Sequence, residues 1–441
     1  MKKLLQETIN EAINLKAEAC DVIVNSGESL SLSAQNEKLE KYKIAKTAIL
    51  GIRVIKNKRV GLAYSESFDK DAILFAVKSA IENSEYADIN EYEEIAYKNA
   101  EDFIQNKSEI VDNSSIEEKI EMAIKLEAEI KRRDKRVTAV PYNGLSFSES
   151  KNYYMNSLGT YTETSNASIG ATTSALVKSG DVTSMHYVGV VAKSLASFDL
   201  NHSVEECLEH AVNWLEAKPV PSGNYDVIFS TEVLGELLYS FSNYLSAKEA
   251  MEKTNPWESK LNQAVAFSKF TLIDVPAYPD AYTKYYVDSE GVPKKDLTLI
   301  ENGILKSFYH NTATAKYFKT ATTGHASRSA KTSLNVSGTN WLIKPGTMTE
   351  NDLSAGTYLE ILDTMGLGRG DNLSGDFSFG ASGYLVKDGV RIQPVKEITI
   401  AGNFNKILTS ELKMGATLLA NADKTFFSPK IRFSDLYIAG K

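Results

Sequence analysis

The sequence predicts an α+β fold, in which an N-terminal part made of two helix–meander–helix units is followed by a β-dominated C-terminal domain. Apolar residues recur at helical spacing at the start of both units. Runs of alternating apolar and polar residues follow each of these helices, and short β-like stretches fill most of the last third. We therefore predict domains at residues 1–110, 111–222 and 223–441, since a chain of this length can form several cores.

The first unit begins with an amphipathic helix predicted over residues 3–19. The alternating residues that follow predict an antiparallel meander with one face in solvent. On one of its strands the alternating set is Leu50, Ile52 and Val54, with Gly51 and Arg53 between them. A second helix is predicted over residues 68–84, and the polar stretch 88–103 is interpreted as an extended connector.

The second unit repeats this order of elements. Ser114 and Glu117 have the spacing of a capping box ahead of a helix. Three β-like stretches lie between residues 136 and 197, and a second box, Ser203 with Glu206, precedes the closing helix. The repeated order of elements is consistent with an internal duplication, although sequence identity between the two units does not support one.

The clearest linker lies at residues 218–223, where two prolines and a glycine separate periodic segments. This stretch predicts a domain boundary near residue 222. Beyond it, residues 225–230 have the pattern of a buried strand and residues 231–253 contain the main helical signal of the C-terminal domain.

Charge and composition exclude several classes of protein. The formal net charge of −8 would repel a phosphate backbone, so no nucleic-acid partner is expected. The two cysteines, Cys20 and Cys207, are each placed on an apolar helical stripe and form no paired framework, which favours a reducing cytoplasm. No signal peptide is predicted at the N-terminus, and no apolar run of about 18 residues predicts a membrane span.

Metal-binding motifs are scarce among the five histidines. None is followed by glutamate, which excludes an HExxH motif. His202, Glu206 and His210 are spaced by four residues and share one helical face, where they could hold a metal. A solvated helix surface with i,i+4 pairing is the favoured interpretation, because this face lies opposite the apolar stripe.

Other catalytic signals are also weak. There is no GxSxG motif. His325 lies beside Arg328 in a polar loop between β segments, where it could hold a ligand or serve only the structure. Gly366, Gly368 and Gly370 lack the strand-then-helix context of a nucleotide loop and favour tight turns. Close backbone approach there would also suit strand addition by an extended peptide.

Seven short motifs follow one another through the C-terminal domain, at residues 288–293, 299–305, 323–326, 374–378, 383–384, 394–395 and 398–403. In combination they resemble the TldD/PmbA family, specifically its PmbA (TldE) branch, and the N-terminal and central regions are similar to that family too. The resemblance implies a cytoplasmic protease made of one TldD and one TldE subunit, which degrades unfolded peptides or matures peptide precursors.

The resemblance also implies where zinc would lie. In the TldD branch, an HExxxH helix follows the first strand of the C-terminal domain, and a late cysteine is a further ligand. Alignment places Tyr239 and Ser240 at the His-Glu pair and Tyr244 at the second histidine, and no cysteine follows residue 207. We therefore expect no catalytic residue, no metal ligand and no bound cofactor in this chain, with zinc held by a TldD-like partner. The chain would pair with that partner or form a homodimer.

Two alternatives stay open from the sequence. The chain could be an autonomous non-zinc peptidase with a site around His325, Arg328 and Asp376, or a non-catalytic scaffold that binds extended peptides by β-augmentation. Under all three hypotheses, the residues predicted to line a peptide groove or an interface are His325, Arg328, Asp376, Phe377 and Ser378.

Overall fold

The N-terminal half of the chain forms one eight-stranded sheet with four helices. The computed structural model describes residues 1–95, 97–99, 101–105, 108, 110–368 and 373–441. The helices are α1 (Lys2–Asn14), α2 (Lys70–Tyr86), α3 (Ile116–Arg133) and α4 (Leu200–Asn213). The strands are β1 (Ala19–Gln35), β2 (Lys38–Lys56), β3 (Arg59–Ser65), β4 (Phe103–Gln105), β5 (Val137–Ala139), β6 (Gly144–Asn156), β7 (Tyr161–Ser179) and β8 (Val182–Ala192).

Strands from both predicted units share this sheet, whose order is β3-β2-β1-β6-β7, with β4, β5 and β8 each paired to β7. The central junction is the antiparallel pair of β1 and β6, in register from Asp21 opposite Asn156 to Ser33 opposite Gly144. Helices α1 and α2 pack on β1, β2 and β3, α3 packs on β1 and on strands of the second unit, and α4 packs on β7 and β8. The two predicted units therefore build one continuous layer.

The first helix is shorter than predicted. It ends at Asn14, because Lys16 takes a left-handed backbone conformation with φ 71° and the chain enters β1 at Ala19. Cys20 consequently lies on a strand, so its predicted place on a helical stripe is wrong, whereas Cys207 lies on α4 as predicted. Both thiols are buried and unpaired.

The capping box of α3 lies one residue later than predicted. Ser115 Oγ accepts a hydrogen bond from the Glu118 N–H at 3.1 Å, and the Glu118 carboxylate accepts one from the Ser115 N–H at 2.7 Å. The predicted pair, Ser114 and Glu117, is wrong because Ser114 instead donates its hydroxyl to Asp112.

Helix α4 starts from a different cap. The Asp199 carboxylate accepts from the His202 N–H at 3.0 Å, and Ser203 lies within the first turn, so the predicted box of Ser203 and Glu206 is wrong. His202 is exposed on this helix, but His210 is only 7% exposed because it packs against the sheet. The predicted solvated face is therefore wrong for His210.

Near Arg53 the second face of the meander is buried, contrary to the prediction that it faces solvent, whereas residues 38–44 are exposed. Arg53 points away from α1 and α2 and is 1% exposed, because the C-terminal domain covers this part of β2. At Gly51, an added Cβ atom would lie 2.2 Å from the Ala330 carbonyl oxygen. Glycine is required there for the two backbones to approach so closely.

The two predicted connecting segments, one within the N-terminal half and one before the C-terminal domain, agree in outline with the sequence. Residues 88–95 contain no helix or strand, and the described remainder of the predicted connector includes the start of β4. Ala96 and Ala100 lie outside the described residues. Residues 214–222 also contain no helix or strand, and the C-terminal domain begins with a strand at Gly223.

The C-terminal domain is built on a ten-stranded sheet, which confirms its predicted β-dominated character. Its strands are β9 (Gly223–Phe229), β10 (Leu272–Asp274), β11 (Leu297–Glu301), β12 (Ile304–Leu305), β15 (Trp341–Ile343), β16 (Thr357–Met365), β17 (Asp376–Lys387), β18 (Val390–Asn403), β19 (Leu412–Ala420) and β20 (Phe426–Ala439). A small hairpin pairs β13 (Ala326–Ser327) with β14 (Asn335–Val336). The last strand, β20, pairs with β9, β15, β18 and β19 and so connects most of the sheet.

The helices of this domain are short. They are α5 (Thr231–Ser240), α6 (Ala247–Met251), α7 (Thr312–Phe318), α8 (Glu350–Ser354) and α9 (Phe404–Thr409). The helical signal predicted over 231–253 is thus split into α5, a 3-10 turn at Ser242–Leu245 and α6. No helix in the described part of the chain is long and apolar enough to cross a membrane.

The glycine-rich stretch near residue 366 follows β16. Gly366 and Gly368 have φ values of 83° and 87°, which fits the predicted tight turns. Gly370 lies outside the described residues.

Candidate functional site

A cleft of about 810 Å³ lies between the N-terminal sheet and the C-terminal domain. Its first wall is the sheet face that points away from α1 and α2, and includes Ile23, Asn25, Asn152, Thr162, Thr164 and Asn166. Its second wall combines α5 with loops of the C-terminal domain. The alternation of side chains along β1, β6 and β7 places polar groups on this face, because the opposite face packs on helices.

Helix α5 presents carboxylates and a phenol to the cleft. Ser230 caps the helix by accepting from the Val233 N–H at 3.2 Å. One helical turn apart, Glu232, Glu236 and Tyr239 then line the cleft. Burial, reinforced by the nearby Asp363 carboxylate, raises the pKa of Glu236. This wall therefore offers hydrogen-bond acceptors to anything that enters.

The three positions aligned with the HExxxH helix lie in different environments. Tyr239 is 60% exposed at the cleft, and Ser240 donates its hydroxyl to the Leu237 carbonyl at 2.7 Å. Tyr244 lies beyond the end of α5 and is fully buried, with its ring 5.2 Å from that of Trp257. Zinc takes imidazole, thiolate and carboxylate donors in proteins, so a set of two phenols and a hydroxyl does not fit it. We derive no step through a metal at this helix.

His325 is buried behind the cleft rather than on its surface. Its Nδ1 donates to the Thr323 carbonyl at 2.8 Å, and its Nε2 lies 3.1 Å from the Asp274 carboxylate. The side chains of both His325 and Asp274 are fully buried. With both ring nitrogens engaged, His325 has no nitrogen left for a substrate or a metal.

Asp274 is the centre of a buried group that we call the Asp274 cluster, formed by Asp274, Tyr309, His325, Thr339 and Trp341. Tyr309 donates to Asp274 at 3.0 Å, and Trp341 Nε1 donates to the Tyr309 hydroxyl at 2.7 Å. Burial alone would raise the pKa of Asp274, but the hydrogen bonds from His325 and Thr339 outweigh it and lower this pKa. The cluster holds the loops behind the cleft in place.

Arg328 lies on the cleft wall and joins the two halves of the chain. Its Nη1 pairs with the Asp21 carboxylate of β1, and Asp21 pairs in turn with Arg53 Nε at 2.6 Å. Arg53 also contacts Glu93 at 2.9 Å and Glu290 at 3.5 Å. We call Asp21, Arg53, Glu93, Glu290 and Arg328 the Asp21 cluster. Nearly all of it is buried, and it crosses from the N-terminal sheet to the C-terminal domain.

The Asp21 cluster is not saturated with hydrogen bonds. Arg328 Nε and Nη2 are buried and have no hydrogen-bond partner, and the same is true of Arg53 Nη2. Because buried polar groups are almost always paired, these donors mark a place where further acceptors can be received. Arg328 lines the cleft, so these two buried donors lie next to the space that a ligand would occupy.

Asp288 is a further buried carboxylate, close to Glu290 of the Asp21 cluster. Asp288 accepts three backbone N–H bonds, from Glu290, Val292 and Ala326, at 2.9 to 3.0 Å. Burial raises the pKa of Asp288, although Lys294 and these N–H groups oppose it. Burial, opposed by Arg53, also raises the pKa of Glu290 to about 7.

The remaining predicted groove residues lie away from the cleft. Asp376 begins β17 and accepts from Asn403 Nδ2 at 2.7 Å. Phe377 is 6% exposed and stacks on Phe379 in the domain core, while Ser378 is on the outer face of the strand. Of the five predicted residues, only Arg328 lines the cleft, and His325 lies directly behind it.

Sequence reasoning missed Asp21, Arg53 and Glu290 as site residues. Arg53 stands between apolar positions of a predicted strand, and a charged residue in such a pattern usually faces solvent. The acidic face of α5 was also visible, since Glu232 and Glu236 are spaced four residues apart. Neither signal showed which other part of the chain these residues would face.

Comparison with known proteins places the whole chain in one family. Residues 20–84, 109–213 and 222–440 match, in order, domain 1, the central domain and the C-terminal domain of the PmbA/TldA metallopeptidases. A metalloprotease PmbA homolog of Haemophilus influenzae is 26% identical over 419 residues, covering 92% of this chain and 90% of that protein. A metalloprotease of Archaeoglobus fulgidus is 27% identical over 399 residues, covering 88% and 89%.

Solved structures share the same fold. TldE from Thermococcus kodakarensis superposes with a TM-score of 0.82 at 20% identity, covering 99% of this chain and all of that one. A Thermotoga maritima protein solved as a candidate modulator of DNA gyrase gives a TM-score of 0.85 at 22% identity, with coverage of 99% and 100%. With the three domain matches in the same order as the observed architecture, the chain belongs to the PmbA/TldD metallopeptidase family.

Proposed function

We propose that this chain is a PmbA/TldE-like subunit that contributes the peptide-binding cleft to a cytoplasmic protease, while a TldD-like partner supplies the catalytic zinc. The observation that carries the proposal is the chemistry of α5. The positions aligned with HExxxH are Tyr239, Ser240 and Tyr244, and the helix presents Glu232 and Glu236 to the cleft instead. These residues can bind a substrate but cannot reproduce that zinc centre.

The size of the cleft supports a short extended segment as the ligand. Its volume of about 810 Å³ lies in the roughly 300–1,000 Å³ range of small-ligand pockets. Such a space admits a few residues of an extended chain and excludes a folded domain. An unfolded peptide would therefore be selected by its lack of structure rather than by its sequence.

The hydrogen-bond donors and acceptors around the cleft also suit a peptide backbone. An extended segment presents carbonyl acceptors and N–H donors in alternation. Arg328 Nε and Nη2 are unpartnered donors buried beside the cleft, and the carboxylates of Glu232 and Glu236 are acceptors that line it. Main-chain recognition of this kind is sequence-tolerant, which fits a protease of unfolded peptides.

The test is to measure cleavage of a disordered peptide by a TldD-like chain that carries HExxxH, with and without this chain. We expect the mixture to cleave faster than the TldD-like chain alone, and this chain alone to be inactive. Arg328→Lys should reduce the gain in cleavage, because lysine keeps a positive charge near Asp21 but removes the two free donors. Lys331→Ala, an exposed change in the same loop, is the matched control.

Equal rates with and without this chain would contradict the proposal. Chelator-insensitive hydrolysis by this chain alone would instead favour the autonomous peptidase. Peptide binding to the chain that never leads to cleavage, even with the partner present, would favour the scaffold. The burial of His325 with both nitrogens engaged supports neither hydrolysis by His325 nor a site shared with Asp376.

A further inference from the structure

A group of metal-binding side chains lies in the central unit, away from the cleft. His186 is on β8, and Glu206 and His210 are one turn apart on α4. One ligand atom of each, a ring nitrogen of both histidines and a carboxylate oxygen of Glu206, lies within 4.8 Å of the other two. The sequence suggested His202, Glu206 and His210. The fold keeps two of these residues and brings His186 from the neighbouring strand.

We propose that His186, Glu206 and His210 bind one divalent transition-metal ion, such as Zn²⁺, at the junction of the central unit and the C-terminal domain. Two imidazoles and a carboxylate are a donor set that zinc takes in proteins. Zn–N bonds of about 2.0–2.1 Å place neighbouring ligand atoms roughly 3.4 Å apart, so movements of about 1 Å would close this site.

The buried state of the histidines supports the proposal. His186 and His210 are 8% and 7% exposed, and His186 Nδ1 is buried without a hydrogen-bond partner. Burial, followed by the mutual effect of the two rings, lowers the pKa of His186 to about 3, and burial lowers the pKa of His210. Burial therefore favours the neutral imidazole, the form that binds metals.

An outer partner orients His210. Its Nδ1 lies 2.9 Å from the hydroxyl of Tyr384, a residue of β17, and Asn213 Nδ2 donates to the same hydroxyl at 3.1 Å. When His210 Nδ1–H donates to Tyr384, Nε2 keeps its lone pair for the metal. Histidine ligands commonly have such a second hydrogen bond, which fixes the ring and its tautomer.

The surroundings do not oppose a cation. Arg391, whose positive charge acts on His210, pairs with Glu209 at 3.1 Å and with Glu360 at 2.7 Å, so two carboxylates balance its charge. Glu206 is partly exposed and gives the ion a route from solvent. Trp214 packs edge-on against His186 at 4.9 Å and closes the inner side.

Zinc binding by the full-length chain alone tests this inference, with Zn²⁺ itself as the probe. After removal of metal, we expect one Zn²⁺ per chain by titration calorimetry and elemental analysis, and a rise in Tm when zinc is added. Co²⁺ should give the visible absorption of a low-symmetry site. Glu206→Gln and His186→Phe should each weaken zinc binding by more than about 100-fold, whereas Tyr384→Phe should weaken it by about tenfold.

His202→Ala is the matched control, since it removes an exposed histidine from the same helix. Its Nε2 lies 3.6 Å from the Glu206 carboxylate but is not one of the three ligands, so the variant should affect zinc binding far less than Glu206→Gln. Wild-type affinity in Glu206→Gln, or loss of zinc in His202→Ala but not in His186→Phe, would overturn the inference. So would failure of the wild-type chain to bind Zn²⁺. If His186→Phe does not fold, Glu206→Gln decides the result, because its side chain is partly in solvent. No TldD-like partner is present, so failure here leaves the proposed function untouched.

Discussion

The Asp274 cluster and the Asp21 cluster are both buried beside the cleft, but they differ in how completely they are paired. In the Asp274 cluster every buried side-chain nitrogen and oxygen has a hydrogen-bond partner. In the Asp21 cluster three guanidinium nitrogens have none. The first cluster lies within one domain, and the second spans two halves of the chain. The saturated cluster has no donor left to offer, whereas the unsaturated one has three.

The largest expected effect is on the Asp21 cluster. Asp21→Ala removes the carboxylate that Arg53 and Arg328 share, and leaves two guanidinium groups with fewer partners in a buried place. We expect the free energy of unfolding to fall by about 3–5 kcal/mol, as for other broken buried ion pairs. Guanidinium chloride denaturation measures it. A loss below about 1 kcal/mol would mean that water reaches the cluster and replaces Asp21.

The next effect is a pH dependence carried by Glu290. Burial raises the pKa of Glu290 to about 7, above the ordinary value of 4.5, so the folded state binds the proton more tightly than the unfolded state. Its contribution is fully present below pH 4.5 and is lost as the pH rises through 7, by up to about 3 kcal/mol. Glu290→Gln should flatten this part of the stability curve measured between pH 4.5 and 8. An unchanged slope would contradict the assignment.

A smaller effect is expected in the saturated cluster. Asp274→Asn keeps the shape of the side chain but loses the charge that accepts from His325, Tyr309 and Thr339, which should reduce the unfolding free energy by about 2 kcal/mol. The pKa of Asp274 is lowered, so its contribution is present above the ordinary value of 3.8 and is lost as the pH falls below it. The variant should therefore lose less stability than wild type in acid. Equal acid sensitivity would show that Asp274 is not the group responsible.

A binding effect follows from the unsaturated donors. Arg328→Lys should weaken binding of a disordered peptide by about tenfold, since hydrogen bonds to charged groups contribute about 1.5–3 kcal/mol. Fluorescence anisotropy of a labelled peptide measures it, and thermal unfolding confirms that the variant is folded. Unchanged affinity would show that the free Arg328 donors do not face the ligand.

The smallest effect is expected at the exposed ion pair between the same two halves. Lys331 and Glu66 are 2.7 Å apart, but both side chains are largely in solvent. Lys331→Ala should leave the denaturation midpoint unchanged within error, because solvent and side-chain entropy offset such pairs. A clear shift would mean that contact across the halves depends on surface charge as well as on the Asp21 cluster.

Much of the fold was predictable from the sequence. Local periodicity was enough for the α+β class, the two β-rich units and the linker before Gly223, because those signals lie within single elements. Element ends were less predictable. Lys16 ends α1 through a left-handed backbone conformation that a lysine in the sequence does not predict. Ser115 rather than Ser114 caps α3, and the sequence could not decide between them because both are serine, which suits the position.

The site was less predictable because its residues are distant in sequence. Asp21 and Arg328 are paired although 307 positions separate them. His186 joins Glu206 and His210 only because β8 lies under α4. Arg328 was singled out from its polar loop and does line the cleft, but the same reasoning could not show that His325 is fully buried. Burial depends on the whole fold, and periodicity describes only one segment.

The place of β20 in the C-terminal sheet has a consequence for synthesis. Ile228 of β9 pairs with Arg432 of β20, and β15, β18 and β19 also pair with this last strand. One edge of β9 pairs with β16, but the other must wait for roughly 200 further residues, a non-local closure of the kind that slows folding. A nascent chain that stops before Phe426 would leave strand edges open on β9, β18 and β19, where they can pair with other chains.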